Sequence, residues 1–249
     1  MQLPALSPRR LAGVTAIACA AALAPGAALA ATASPACRTD PVIAYVVNPA
    51  SGTVTPIRTA TNTALKAIKV GFAPLAIAIT ASGKTAYVAD ALLNAVTPIS
   101  TATGAAGKPI GAGEGPQVIA ITPNGRTAYV VNTGPGTVTP ISTATNKAGK
   151  PIKVGKDPFA LAITPNGKVV EVVNQASGTV TPIFTAVNRA GQAITVGSTP
   201  WAIAITPNGK TAYVVNNGSD TVTPISIVTG RAGTAISVGS GPVAIALTR

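Results

Sequence analysis

The chain's chemistry is bounded first by what it lacks. Its 249 residues include no histidine and six carboxylates: Asp40, Asp90, Glu114, Asp157, Glu171 and Asp220. Without imidazole there is no Ser-His-Asp or Cys-His activation, and the usual zinc ligand is gone. The acids fall at separations that pair none of them for general acid–base work, and no Asp/Asn-rich calcium loop occurs. No catalytic residue, metal or cofactor is therefore expected, which points to a protein that is not an enzyme. The alternative is a carboxylate pair assembled across a ring, as a lyase or glycosidase would use.

Cations and aromatics remain, and both recur at fixed intervals. Lys84, Arg126, Lys168 and Lys210 stand 42 residues apart, as do Lys147, Arg189 and Arg231. Eighteen Lys and Arg against six acids give a net charge of +12, which favours anionic partners. These seven residues are the candidate anion-binding face, suited to an anionic cell-wall or envelope polymer. Aromatics are not interleaved with them, so nucleic acid is not favoured. The bland counterpart is a solvated cation copied with each repeat, which keeps strand edges from pairing with other chains. A second set follows one recurring proline: Leu75, Gln117, Phe159, Trp201 and Val243. Gln117, Phe159 and Trp201 form a candidate ligand-binding site, a small-molecule or sugar (lectin-like) concavity with one polar group, unless the rings merely plug it.

The intervals come from an internal repeat. Pro74, Pro116, Pro158, Pro200 and Pro242 are 42 apart, as are Pro56, Pro98, Pro140, Pro182 and Pro224 within or beside Thr-Pro-Ile. A fixed period of this size means one supersecondary unit copied and packed on its neighbours. Each unit reads as four short strands. In the copy from Pro200, strand A covers about 202–206, the Pro207–Lys210 turn follows, B is 211–215, C is 221–226 and D is 232–238. Short Val, Ile and Thr runs separated by Gly, Asn and Pro are the strand signature, and four strands per unit make one propeller blade. The first copy opens in strand B and the last supplies only strand A, 242–248. Head and tail thus sum to one blade, and a five-bladed, all-β propeller over 41–249 is expected, closed by the C-terminal strand A on the N-terminal B-C-D unit. A–B and C–D turns share one face of such a disc. The other face takes Asp90, Glu114, Asp157 and Asp220, so the disc is expected to be electrically two-sided. The recurrent Thr-Pro-Ile proline lacks a backbone donor and is expected at a bulge or where an N–H goes unpaired.

The strand B cores Tyr45-Val-Val-Asn48, Tyr87-Val-Ala-Asp90, Tyr129-Val-Val-Asn132, Glu171-Val-Val-Asn174 and Tyr213-Val-Val-Asn216, with their Pro-Asn-Gly-Lys turns, resemble the YVTN-family β-propeller repeat. The resemblance spans nearly all of 41–249. It implies a propeller, usually bacterial or archaeal and often extracytoplasmic. Rings in that family are commonly seven-bladed, so five units is a departure, and Glu171 in place of tyrosine is another.

Residues 1–30 read as a secretory signal peptide: Arg9-Arg10, an apolar run from Leu11 to Leu23, then Ala28-Leu29-Ala30 before the cleavage point. Pro25-Gly26 interrupts the run short of a membrane span. Ser7-Pro8-Arg9-Arg10 raises twin-arginine export, and Cys19 raises lipidation. Residues 31–40 read as a disordered leader carrying Cys37, unpaired after cleavage or available for an intermolecular bridge. The expectation is a secreted, periplasmic or envelope-associated scaffold that binds an anionic polymer or another protein, without a transmembrane segment in the mature chain.

Overall fold

A computed structural model describes residues 42 to 248. The proposed signal peptide, leader, Cys19 and Cys37 lie outside them. Five antiparallel sheets follow one another along the chain, one per repeat. Four have a full inner strand A: Pro74–Ile79, Pro116–Ile121, Pro158–Ile163 and Pro200–Ile205. Strand B follows in those blades as Thr85–Asp90, Thr127–Asn132, Val169–Asn174 and Thr211–Asn216. Strand C is Ala95–Ser100, Thr137–Ser142, Thr179–Phe184 and Thr221–Ser226. Blade 1 begins at strand B, Ile43–Asn48, paired with strand C, Thr53–Arg58. Consecutive inner strands touch extensively and outer strands barely touch, so the blades splay outward like those of a propeller and do not stack as a solenoid. Among the described residues no helix is long and apolar enough to cross a membrane.

Local chemistry sets each blade. The A–B hairpin is fastened by its own side chains. Thr206 Oγ1 donates to Asn208 Oδ1 at 2.7 Å, and Asn208 Oδ1 also accepts from the Lys210 N–H at 3.0 Å. At the end of strand B, Asn216 Nδ2 donates to Thr221 Oγ1 and Thr223 Oγ1, bracing the next turn; Asn132 and Asn174 repeat this. The recurrent proline lies opposite the strand B aromatic, Tyr129 facing Pro140. Its missing N–H breaks strand D, which pairs with strand C in two short pieces, Lys147–Ala148 and Ile152–Lys153. At the break the Gly149 N–H donates to the Pro140 carbonyl at 2.7 Å. A Cβ on Gly149 would sit 3.1 Å from the proline ring, a tight approach that blade 1 nonetheless accommodates with Leu65, whose N–H makes the same bond to the Pro56 carbonyl. The proline thus sits in an unbroken strand C, and the outer strand carries the irregularity.

Apolar clusters fill the seams between blades. One joins Tyr87, Ala89 and Val96 of blade 2 to Ile119, Val130 and Ile141 of blade 3. Equivalent clusters join blades 3 and 4, 4 and 5, and 1 and 2. No apolar cluster and no shared sheet among the described residues joins blade 5 to blade 1. Closure by the C-terminal strand, expected from the sequence, is not observed. Residues 242–248 form no strand, and Ile43–Asn48 pairs only with Thr53–Arg58. The inner edge of blade 1 is thus left without a strand A among the described residues.

Candidate functional site

The two ends of the blades differ in chemistry. At one end, strand B starts where strand C finishes, Thr85 opposite Ser100, so the A–B and C–D turns lie side by side. They are tied together: the Thr101, Thr143, Thr185 and Ile227 N–H groups donate to the carbonyls of Lys84, Arg126, Lys168 and Lys210 at 2.9–3.1 Å. Threonine hydroxyls at 101, 143 and 185 add bonds of 2.6–2.7 Å to the preceding glycine carbonyls. Lys84, Arg126, Lys168, Lys210, Lys147, Arg189 and Arg231 are all exposed here. Their stems leave a backbone fixed by those bonds, so cations are presented from paired turns on successive blades.

A second latch runs from blade to blade at this same end. Tyr87 Oη donates to Asn146 Oδ1, and Tyr129 Oη to Asn188 Oδ1, both at 2.6 Å. Each acceptor immediately precedes a cation, Lys147 or Arg189, so the latch fixes the turn that carries the charge. Burial pushes the Tyr129 phenol up to about 12, which keeps it a donor at ordinary pH. Where Glu171 replaces tyrosine, the acceptor position is Gly230. Glu171 is 2% exposed, its Oε2 has no partner, and burial pushes its carboxyl up to about 7. It is a buried acid at the position where the other blades place tyrosine. The signal that marks this seam in the sequence is the joint loss of Tyr and Asn at one offset.

The opposite end carries the variable residues. In each full inner strand the register shifts just after the proline, between Pro158 and Ala160 for example, so the following residue is a β-bulge. A bulge re-aims its side chain and frees it from cross-strand packing. Phe159 and Trp201 come together there, ring centroids 4.7 Å apart and tilted by 51°. Gln117 holds the same bulge position on the neighbouring inner strand, and all three are half-buried. Preceding residues are strained: Asp157 and Thr199 have φ of 51° and 48°, in the left-handed region that a β-branched side chain disfavours. Exposed Phe72 and Leu92 extend the apolar character on blade 2, where the Leu92 N–H donates to the Phe72 carbonyl. Leucines in a turn that is Ala-Ser-Gly or Gly-Pro-Gly elsewhere are the sequence signal for that patch.

The predicted acidic face is thinner than expected. Glu114, Asp157 and Asp220 are exposed at this end. Asp90 is fully buried, its Oδ2 accepting from Thr97 Oγ1 at 2.6 Å and its Oδ1 unpartnered. Burial raises its carboxyl, an effect partly offset by the Thr97 bond. It occupies the bracing-asparagine position, which is inside the blade. Among the described residues no three His, Cys, Asp or Glu side chains converge as metal ligands would.

No protein-family model matches the chain, and no curated protein does. Solved structures do resemble it. Hydrazine synthase of Kuenenia stuttgartiensis is 18% identical, with a TM-score of 0.58 over 80% of this chain and 84% of that one. A functionally unknown protein from Desulfotomaculum acetoxidans DSM 771 is 22% identical, with a TM-score of 0.69 over 80% of this chain and 67% of its own. The dihydro-heme d1 dehydrogenase NirN is 14% identical, with a TM-score of 0.67 over 79% of this chain and 44% of that one. At these identities the likeness establishes the β-propeller fold. It also corrects the expectation that this chain is not an enzyme. Two of the three are named as catalysts, so lack of histidine removes particular chemistries from such a fold and does not remove catalysis.

Proposed function

We propose that the chain is a YVTN-type propeller acting as an extracytoplasmic binding scaffold, whose basic end engages a linear anionic polymer of the cell envelope. The single observation that carries this is the ladder of exposed cations on hydrogen-bonded turn pairs, Lys84 through Lys210 with Lys147 through Arg231, at one end of successive blades. Regularly spaced charges on a fixed backbone suit a polymer of regularly spaced anions, because one ordering of the chain serves many contacts. The leader's signal-peptide pattern supports meeting such a polymer outside the cytoplasm. Binding of this kind displaces counterions, so it weakens steeply with salt. The test is retention on immobilised poly(glycerol phosphate) across a salt gradient. Wild-type protein is expected to elute late, and Lys84→Glu/Arg126→Glu/Lys168→Glu/Lys210→Glu early. Equal elution of the two would remove the reading.

A second reading rests on the tilted Phe159–Trp201 pair beside Gln117, a half-buried aromatic shelf on which a sugar ring or other small flat ligand could lie. Trp201→Ala should then abolish saturable binding in a glycan screen while leaving polyanion retention intact.

A further inference from the structure

We propose that the two open ends of the arc are complementary and that copies of this chain join head to tail, with residues 242–248 of one copy adding as inner strand to Ile43–Asn48 of the next. The interface is one the chain already makes. Four blade–blade seams run through it, and the exposed sides of blades 1 and 5 are the two halves of a fifth. On blade 1, Val46 is 43% exposed, whereas its counterparts Val88, Val130, Val172 and Val214 are buried. On blade 5, Ile236 is 49% exposed, whereas Ile194, at the same position one blade earlier, is 8% exposed.

The missing strand is present in the tail. Pro242-Val-Ala-Ile-Ala-Leu-Thr248 has the proline, bulge position and Ala/large alternation of the other inner strands, yet it lies in no strand. The register used by Pro74–Ile79 sets Ala76 opposite Ala89 and Ile79 opposite Ala86. Carried over, it sets Ala244 opposite Val47 and Leu247 opposite Ala44. An unpaired edge of Val, Tyr and Ile beside an unpaired apolar strand is an association site unless something covers it.

The tyrosine latch adds an independent match. Its donor and acceptor are 59 residues apart in sequence, Tyr87 to Asn146 and Tyr129 to Asn188. Tyr213 on blade 5 makes no such bond among the described residues. In phase, its acceptor position is the one held by Asn62 on blade 1, whose φ of 52° equals that of Asn146. Seating blade 5 of one copy on blade 1 of another therefore gives Tyr213 its acceptor. Within one copy residues 242–248 lie in no strand and the inner edge of Ile43–Asn48 is unpaired. The root of the tail is seated on blade 5 as an incoming inner strand is elsewhere: Asn217 Nδ2 donates to the Pro242 carbonyl, and Asp220 Oδ1 accepts from the Gly241 N–H as Asn94 Oδ1 does from the Gly115 N–H ahead of Pro116–Ile121. A head-to-tail interface of this type closes into a ring of copies or grows as a filament.

The test uses the full chain with Cys19→Ser and Cys37→Ser. Light scattering after gel filtration should show mass rising with concentration beyond one chain. Ile245→Asp, in a tail that belongs to no sheet, should return it to single chains with unchanged circular dichroism. Tyr213→Phe should weaken association roughly fivefold, the loss of one hydrogen bond. Mixing Val47→Cys protein with Ala244→Cys protein under oxidation should give a disulfide-linked dimer that neither forms alone at the same concentration. A mass of one chain at every concentration overturns the proposal. So does a Val47→Cys/Ala244→Cys double variant that cross-links only within itself, which would show closure of the wheel by its own tail.

Discussion

Two buried acids stand where other blades place a hydrogen-bonding neutral side chain, and both make stability depend on pH. Glu171 is neutral in the folded state up to about pH 7 because burial disfavours its charge. A carboxyl raised on folding contributes stability that is complete below its unfolded value near 4.5 and is lost as pH rises through 7. The shift corresponds to about 3 kcal/mol. Glu171→Gln should therefore melt at similar temperatures at pH 5 and pH 8, whereas the parent protein melts several degrees lower at pH 8. A parent protein with equal melting temperatures at the two values would contradict the buried-acid account. Asp90, whose carboxyl burial also raises, acts in the same direction. Asp90→Asn restores the amide that braces the other blades through a threonine hydroxyl and removes a buried, half-satisfied carboxylate. It should stabilise by about 1–2 kcal/mol in denaturant melts at pH 7.

At the scale of the blade, the seam between blades 4 and 5 lacks the latch that blades 2 and 3, and 3 and 4, possess. Glu171→Tyr supplies a donor and Gly230→Asn an acceptor, at a backbone φ of 62° that asparagine tolerates at Asn146 and Asn188. A double-mutant cycle should show a favourable coupling of about 1 kcal/mol, and additive changes would mean that the two groups do not meet. Much of this scale was legible from residues alone. The 42-residue phase placed the strands, the Pro-Asn-Gly-Lys turns and the cations on one end, because turns and alternation are local properties of the chain. Two features were hidden. The Phe159 and Trp201 bulges arise from a register slip that pairing creates, and Asp90 reads as a loop acid until strand B is seen to end inside the sheet. Closure is the largest difference. Counting strands predicted a wheel, but residues 242–248 lie in no strand, and pairing them with Ile43–Asn48 is a contact between sequence-distant segments that no local pattern encodes.

The described residues form five successive blades with cations gathered at one end and an aromatic shelf at the other. A net charge of +12 by itself would give diffuse attraction to any polyanion. Paired turns hold the cations in a repeating order, so placement matters as well as number. Moving charge without changing its total separates the two. A variant exchanging Lys84, Arg126, Lys168 and Lys210 for glutamine, with Glu114→Lys, Asp157→Asn and Asp220→Asn at exposed positions of the other end, keeps the net charge at +12 while emptying the A–B turns. The decisive measurement is the affinity of parent and variant for poly(glycerol phosphate) by calorimetry at about 50 and 200 mM salt, one Debye-length regime apart. A face-specific site predicts that the parent binds at least tenfold more tightly at low salt, with a steep salt dependence that the variant loses. Equal affinity and equal salt dependence would show that bulk charge, and no built face, attracts the polymer.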